Sequence, residues 1–228
     1  MLRDTSSRQP PPVITLDRSG IAELARRLVR AGRPNRRAVL AIAGVPGSGK
    51  STLAHAVCDT LNAADPGCCV ALPMDAYHMT NEKLDRLGLR DRKGAVQTFE
   101  AQQYFKHLAQ VRDANARVSL PTFDRTIDEP VFTGSPEHTA DRETRYIVTE
   151  GNYLLLDALP WTAIDQLADL TVWIDIPMQR ARRQTIERHI RFGTAQRAAE
   201  QRYDANDRLN AEYIVQRSRH ADLIARWP

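Results

Sequence analysis

The sequence is poor in cysteine, lysine and aromatic residues, and it has no long apolar run. Three cysteines in 228 residues, Cys58, Cys68 and Cys69, do not make a disulfide framework. Cys68 and Cys69 read as small residues on alternate faces of a buried strand; a strained vicinal bridge is the alternative. The six histidines form no His-x-x-x-His pair and there is no Cys-x-x-Cys, which argues against a structural zinc site. No apolar stretch approaches the ~20 residues of a membrane span. Residues 1–12 lack the apolar segment of a secretory signal. The expected compartment is the cytoplasm.

What is present is arginine. Only Lys50, Lys83, Lys93 and Lys106 are lysines, so 28 of the 32 basic residues are Arg. The net charge of +4 is unevenly spread: residues 1–37 carry +6, residues 38–179 carry −7 and residues 180–228 carry +5. A basic chain suggests nucleic acid. Against that, Phe192 is the only aromatic between Trp173 and Tyr203, so the basic C-terminal part lacks stacking platforms.

A polar leader ending in Pro10-Pro11-Pro12 is expected to be a mobile arm over residues 1–20. One domain then fills residues 21–228. Ile21, Leu24, Ala25, Leu28 and Ala31 fall on one helical face, with Asp17 or Ser19 as cap and Gly32 and Pro34 as stop. Arg33, Arg36 and Arg37 read as a solvated edge. Ala38 to Ala43 is a continuous apolar run, as in a strand buried on both faces. Further strands are expected at 68–72, 118–120, 146–149, 170–176 and 221–227. Helices are expected up to about residue 62 and over 98–115, 164–168, 178–191 and 194–207. This alternation predicts an α/β fold with a doubly wound, mostly parallel sheet.

Gly44-Val45-Pro46-Gly47-Ser48-Gly49-Lys50-Ser51, followed by Thr52, fits G-x-x-x-x-G-K-[ST] between an apolar strand and a helix. Its backbone N–H groups can point at phosphate oxygens, and the helix N-terminus adds positive charge. Lys50 can reach the β- and γ-phosphates and Ser51 can ligate Mg²⁺. ATP and Mg²⁺ are therefore the expected cofactors. No Asn-Lys-x-Asp guanine reader and no Leu-Ser-Gly-Gly-Gln signature is present, and the strand 146–149 ends in Glu150-Gly151 rather than Asp-Glu. A small-molecule kinase remains.

Asp75 follows the second strand and is the candidate base; an Asp there also serves as a turn or cap residue. Tyr77 and His78 beside it offer polar groups to an acceptor. Glu150, at another strand end, is a candidate metal carboxylate or else a solvated side chain. Arg180 to Arg191 carries six cationic side chains, counting His189, against Glu187 alone; residues 178–195 are thus a candidate lid, or a solvated or nucleic-acid face.

The set GVPGSGKST, PMDAYHM, RKGAVQTFE, PTFDR, VTEGNYLLL, RHIRFG and NDRLNAEYI resembles the phosphoribulokinase, uridine kinase and pantothenate kinase family. It is most similar to the subgroup of fructose transport system kinases, or nucleoside kinase-like proteins. The resemblance spans roughly residues 38–226. It implies a phosphate-loop nucleoside triphosphate hydrolase fold with a helical lid. It puts the catalytic aspartate on Asp75, the metal-linked glutamate on Glu150 and the lid arginines on Arg182, Arg183 and Arg188. Acceptor contacts fall on Tyr77, His78, Arg92, Lys93, Phe123, Asp124, Arg125, Asn152 and Asn210. Ala76, Tyr77, Val96, Gln97 and Glu100 depart from the subgroup's pattern on the acceptor side. The expected activity is phosphoryl transfer from ATP to a hydroxyl of a sugar or sugar-like metabolite. A nucleoside or pantothenate-type kinase is the alternative, and an ATP-binding regulator the rival of another class. The expected partner is a small-molecule hydroxyl acceptor, with no nucleic acid and no membrane; a homodimer is left open.

Overall fold

The computed structural model describes residues 10–135 and 138–228. Its elements are β1 (Val13–Thr15), α1 (Arg18–Ala31), β2 (Ala38–Ala43), α2 (Lys50–Ala64), β3 (Cys69–Pro73), α3 (Asn81–Leu87), α4 (Ala101–Arg112), β4 (Val118–Ser119), β5 (Thr122–Asp124), β6 (Glu129–Val131), β7 (Thr139–Ala140), β8 (Tyr146–Gly151), α5 (Ile164–Leu167), β9 (Leu170–Ile174), α6 (Met178–Arg191), α7 (Gln196–Arg202), α8 (Arg208–Arg217) and β10 (Leu223–Arg226). Six strands form one parallel sheet in the order β1-β10-β9-β2-β8-β3. β4–β7 and β5–β6 are small antiparallel pairs.

The central strand β2 explains the sheet's two-sided core. Its side chains alternate: Val39, Ala41 and Ala43 join the cluster containing Tyr104, Leu108 and Ile214, while Leu40 and Ile42 join the one containing Leu24, Leu53 and Val57. A strand packed on both faces needs apolar residues at every position, hence the unbroken run. Parallel strands put all their carboxyl ends on one edge, and the phosphate loop and Asp75 both lie there.

The expected mobile arm is corrected for its last part. Val13–Thr15 is a strand paired with β10, and Asp17 caps α1 through the backbone N–H groups of Ser19 and Gly20, both at 2.9 Å. Three residues of backbone pairing plus a cap hold this segment, which composition alone does not reveal; residues 1–9 lie outside the described ones. The expected strand 118–120 is in a small antiparallel pair, not in the main sheet. The helix expected from Thr98 begins at Ala101. The helix expected over 194–207 is α7 plus a π-helical turn, Tyr203–Asp207, that runs on into α8. Cys58, Cys68 and Cys69 are free and buried; Cys58 and Cys69 meet across α2 and β3 with Sγ atoms 3.0 Å apart.

The solvated edge is exposed at Arg33, as expected, but is corrected at Arg36 and Arg37. Arg37 is fully buried. Its guanidinium donates to the carbonyl oxygens of Thr144 (3.0 Å), Val111 (2.7 Å), Asp113 (2.9 Å), Ala116 (2.8 Å) and Asp141, with Ala114 at 3.3 Å. All five of its N–H donors are thereby engaged. Arg36 and Arg112 both pair with Asp169, at 3.0 and 2.7 Å. Part of the N-terminal positive charge therefore ties loops together below the sheet.

Candidate active site

A cavity of about 910 Å³ opens along the carboxyl edge of the sheet. The phosphate loop forms its floor, with Pro46, Gly47, Gly49, Lys50, Ser51 and Thr52 on the wall. Val45 and Ser48 point inward and are buried. Two glycines have individual reasons to be there. Gly47 has φ +75°, and a Cβ on it would lie 2.4 Å from the Ala181 carbonyl oxygen, so only glycine lets α6 rest on the loop. Gly49 has φ +86°, and a Cβ there would lie 2.6 Å from Nε1 of Trp227.

Glu150-Gly151 is explained the same way. A Cβ on Gly151 would come within 2.5 Å of the Met74 Cβ. Glycine therefore lets the 3₁₀ turn Met74–Tyr77, which carries Asp75, pack against the end of β8, which carries Glu150. The two carboxylates end up beside one phosphate loop.

Asp75 accepts from Nη2 of Arg125 at 2.7 Å. Burial opposes its ionisation, but Arg125, with help from Arg188 and Lys50, outweighs burial and holds the carboxyl below the ordinary carboxylate range. Glu150 is displaced the other way, by burial first and by the charge of Asp75 second. Ser51 Oγ donates to Glu150 Oε1 at 2.8 Å. His78 is held neutral by burial. Its Nδ1 sits 2.7 Å from the Asp75 carbonyl oxygen, which can only accept, so Nδ1 carries the proton and Nε2 is left as an acceptor.

Lys50 donates to the Val45 carbonyl oxygen at 2.9 Å. Burial pulls it down to about 8, against the opposing pull of Glu150 and Asp75. The charged form exists below that value and is lost as pH rises through it. Accordingly, kcat/KM for the nucleotide should decline above about pH 8, approaching a tenfold loss per pH unit, because kcat/KM reports ionisations of the free enzyme. A pH–rate profile flat from pH 7 to 10 would contradict this role for the Lys50 charge.

The structure gathers Lys50, Ser51, Asp75, His78, Glu150 and Arg188 on the cavity wall, together with Lys93, Phe123, Arg125, Asn152 and Asn210. Five expected contacts are not brought there. Tyr77 is buried, its hydroxyl beside Nδ1 of His107 and its ring edge-on to Tyr104. In a 3₁₀ turn, residues three apart share a side, so Asp75 and His78 face the cavity while Tyr77 faces the core. Asp124 accepts from its own loop at the Thr126 N–H (2.8 Å), and Arg92 donates to the Ala205 carbonyl oxygen (3.1 Å). Arg182 is exposed, 3.7 Å from Asp204 and over the Tyr203 ring, while Arg183 pairs with Glu187 at 3.8 Å.

The lid correction follows from helical period. Arg180, Gln184, Arg188 and Arg191 share one face of α6 and line the cavity; Arg182 and Arg183 fall on the others. That spacing was available in the sequence. Asp207, inside the NDRLNAEYI stretch, also lines the cavity, as do Trp227 and Asp128, which no motif marks. The π-helical turn supports the wall that carries Lys93: Asn206 donates to the Lys93 carbonyl oxygen (2.7 Å), Asn210 reaches Asn206, and Asp207 contacts His189 at 2.9 Å. Tyr153 donates to the Gly94 carbonyl oxygen at 2.8 Å.

A parallel sheet with a phosphate loop, strand-end carboxylates and an arginine-faced helix over them defines a phosphate-loop kinase. The sequence matches the Phosphoribulokinase / Uridine kinase family over residues 39–227, and the chain belongs to that family. It is 34% identical to YggC of Escherichia coli K12 over 84% of this chain and 78% of that one. It is 30% identical to the Schizosaccharomyces pombe protein named "Putative uridine kinase C227.14", over 91% of both. The structure superposes with TM-score 0.79 on a protein from Silicibacter sp. TM1040 titled "putative fructose transport system kinase", 33% identical, covering 91% of this chain and 98% of that one. No helix among the described residues is long and apolar enough to cross a membrane.

Proposed function

We propose that the chain transfers the γ-phosphoryl group of ATP, with Mg²⁺, to a hydroxyl of a neutral sugar or sugar-like metabolite. The observation that carries the acceptor class is the internal pairing of charge at that end of the cavity. Lys93 lies 3.3 Å from the Asp128 carboxylate and donates to Asn81 Oδ1 at 2.7 Å. Arg125 is taken by Asp75, and His189 by Asp207. An acceptor carrying a carboxylate or phosphate would have to break one of these pairs. A polyol would meet Asp75, Asp128, Asn152 and Asn210 as hydrogen-bonding partners and Phe123 as an apolar part of the wall.

In this reading Asp75 receives the acceptor hydroxyl's proton while that oxygen attacks the γ-phosphorus. Lys50, Arg188 and Arg191 stabilise charge on the transferring oxygens. The Ser51 hydroxyl and Glu150 suit Mg²⁺, which takes one or two protein oxygens and fills its shell with water and phosphate. A buried carboxylate whose ionisation is opposed by burial and by Asp75 is a fitting place for a divalent cation. Bound there, Mg²⁺ would supply positive charge to bridging phosphate oxygens. A nucleoside acceptor is the second reading, favoured by the Phe123–His78 ring pair at 4.9 Å as a stacking wall.

The test is a screen for acceptor-stimulated ADP release with neutral sugars, nucleosides, pantothenate and glycerate. Stimulation by a neutral polyol and not by the two acids is expected. Stimulation by an acid alone would overturn the acceptor class, and stimulation by nothing would favour an ATP-binding regulator.

A further inference from the structure

The acceptor end of the cavity holds Asp75, Lys93, Phe123 and Arg125. A triphosphate lying on the phosphate loop with its γ-phosphate toward Asp75 sends its nucleoside to the other end. In the sheet, β3, which leads to Asp75, and β10, which leads to Trp227, lie on opposite sides of β2 and its phosphate loop, and Thr52, His55 and Trp227 all line the cavity. Trp227 is half-buried, and its Nε1 donates to the Ser48 carbonyl oxygen at 2.9 Å. The indole lies flush on Gly49, where a Cβ would meet Nε1, Cε2 and Cζ2 at 2.6, 3.0 and 3.3 Å. Arg180 of the lid helix donates to the Pro228 carbonyl oxygen at 2.9 Å and so holds this segment from the far side. The ring is thus fixed at three points: loop backbone, Gly49 and α6.

We infer that Trp227 is the nucleobase platform of the donor site and that it holds the base by ring face rather than by hydrogen bonding. This rests on the reading of the cavity as a triphosphate site. The indole has one polar atom, and the phosphate loop uses it, so the ring offers a base only its π-surface. Every base has a π-face, and stacking is therefore tolerant of base identity. The donor preference is accordingly broad, with ATP and GTP bound comparably.

The full chain is titrated with ATP, GTP and CTP, following tryptophan emission and calorimetric heat in parallel. Each nucleotide should perturb the emission, and the ATP and GTP dissociation constants should agree within about tenfold. Trp227→Phe and Trp227→Leu both lose the bond to Ser48, so their difference isolates the ring face. Trp227→Leu should bind ATP and GTP alike roughly 5- to 100-fold more weakly than Trp227→Phe, and the nucleotide-dependent emission change should vanish in both. Equal affinities in the two variants would overturn the platform, as would a preference for one purine above about tenfold. Heat of binding without any emission change in the wild type would overturn it while leaving the triphosphate site intact. Absence of binding by any nucleotide would remove the triphosphate reading and the platform with it. If Trp227→Leu melts below the assay temperature, the wild-type emission response and the ATP-to-GTP ratio still decide.

Discussion

Asp75→Asn should lower kcat by about 10²–10⁴ while ATP affinity stays within a few-fold of wild type. In the proposed reading the loss falls in kcat, because the phosphate loop, Lys50 and Trp227 would hold the nucleotide without Asp75. Asparagine keeps the shape of the side chain but cannot take a proton, and it loses the charge that fixes Arg125. A carboxyl held below its usual range is a weak base, which fits the chemistry. Phosphoryl transfer runs through a loose transition state in which bond formation to the acceptor lags, so orientation counts for more than basicity. Leaving Arg125 without its partner also costs stability, about 3–5 kcal/mol for a fully buried pair. The cost here is smaller, since the Arg125 and Asp75 side chains are 29% and 20% exposed. Melting curves must therefore accompany the kinetics. Near-normal turnover in a folded Asp75→Asn protein would take Asp75 out of the proton-accepting role.

Arg37→Leu should be the most damaging substitution outside the cavity. It removes every N–H that the carbonyls of Val111, Asp113, Ala116, Asp141 and Thr144 receive from the guanidinium. A buried acceptor left unmet costs about 1–3 kcal/mol. Some of these oxygens will find water, so about 5 kcal/mol in all is a conservative sum. Total domain stability is about 5–15 kcal/mol. At about 2–4 °C per kcal/mol for a chain of this size, Tm should fall by about 10–20 °C, or the protein should fail to fold. Arg37→Lys should rescue only partly, because three donors on one nitrogen cannot reach carbonyls arranged around a planar fork. A melting temperature for Arg37→Leu within about 3 °C of wild type would show that the guanidinium closes these loops without holding them.

The two substitutions mark what a sequence does and does not disclose. Gly44 to Ser51 was legible because all its information is contiguous: a strand, a loop, a lysine, a hydroxyl and a helix in one stretch. Asp75 and Glu150 were legible because a parallel sheet puts every strand's carboxyl end on one edge. Arg37 was misread because an arginine's surroundings come from distant segments, here residues 111–116 and 141–144. Tyr77 and Asp124 do not line the cavity because a motif names neighbours in sequence, whereas a 3₁₀ turn and an Asx turn each send neighbouring side chains different ways. Helical spacing would have replaced Arg182 and Arg183 by Arg180 and Arg191. Nothing local marks Trp227, whose partner, Ser48, lies 179 positions away.

The order of strands has a consequence for crowding and self-association. Among the described residues the sheet ends on one side in β1, three residues long, and on the other in β3, which closes on Pro73. Proline has no N–H to offer, and a three-residue strand exposes few backbone groups. Among the described residues, both edges of the sheet are therefore poor templates for strand addition by another copy.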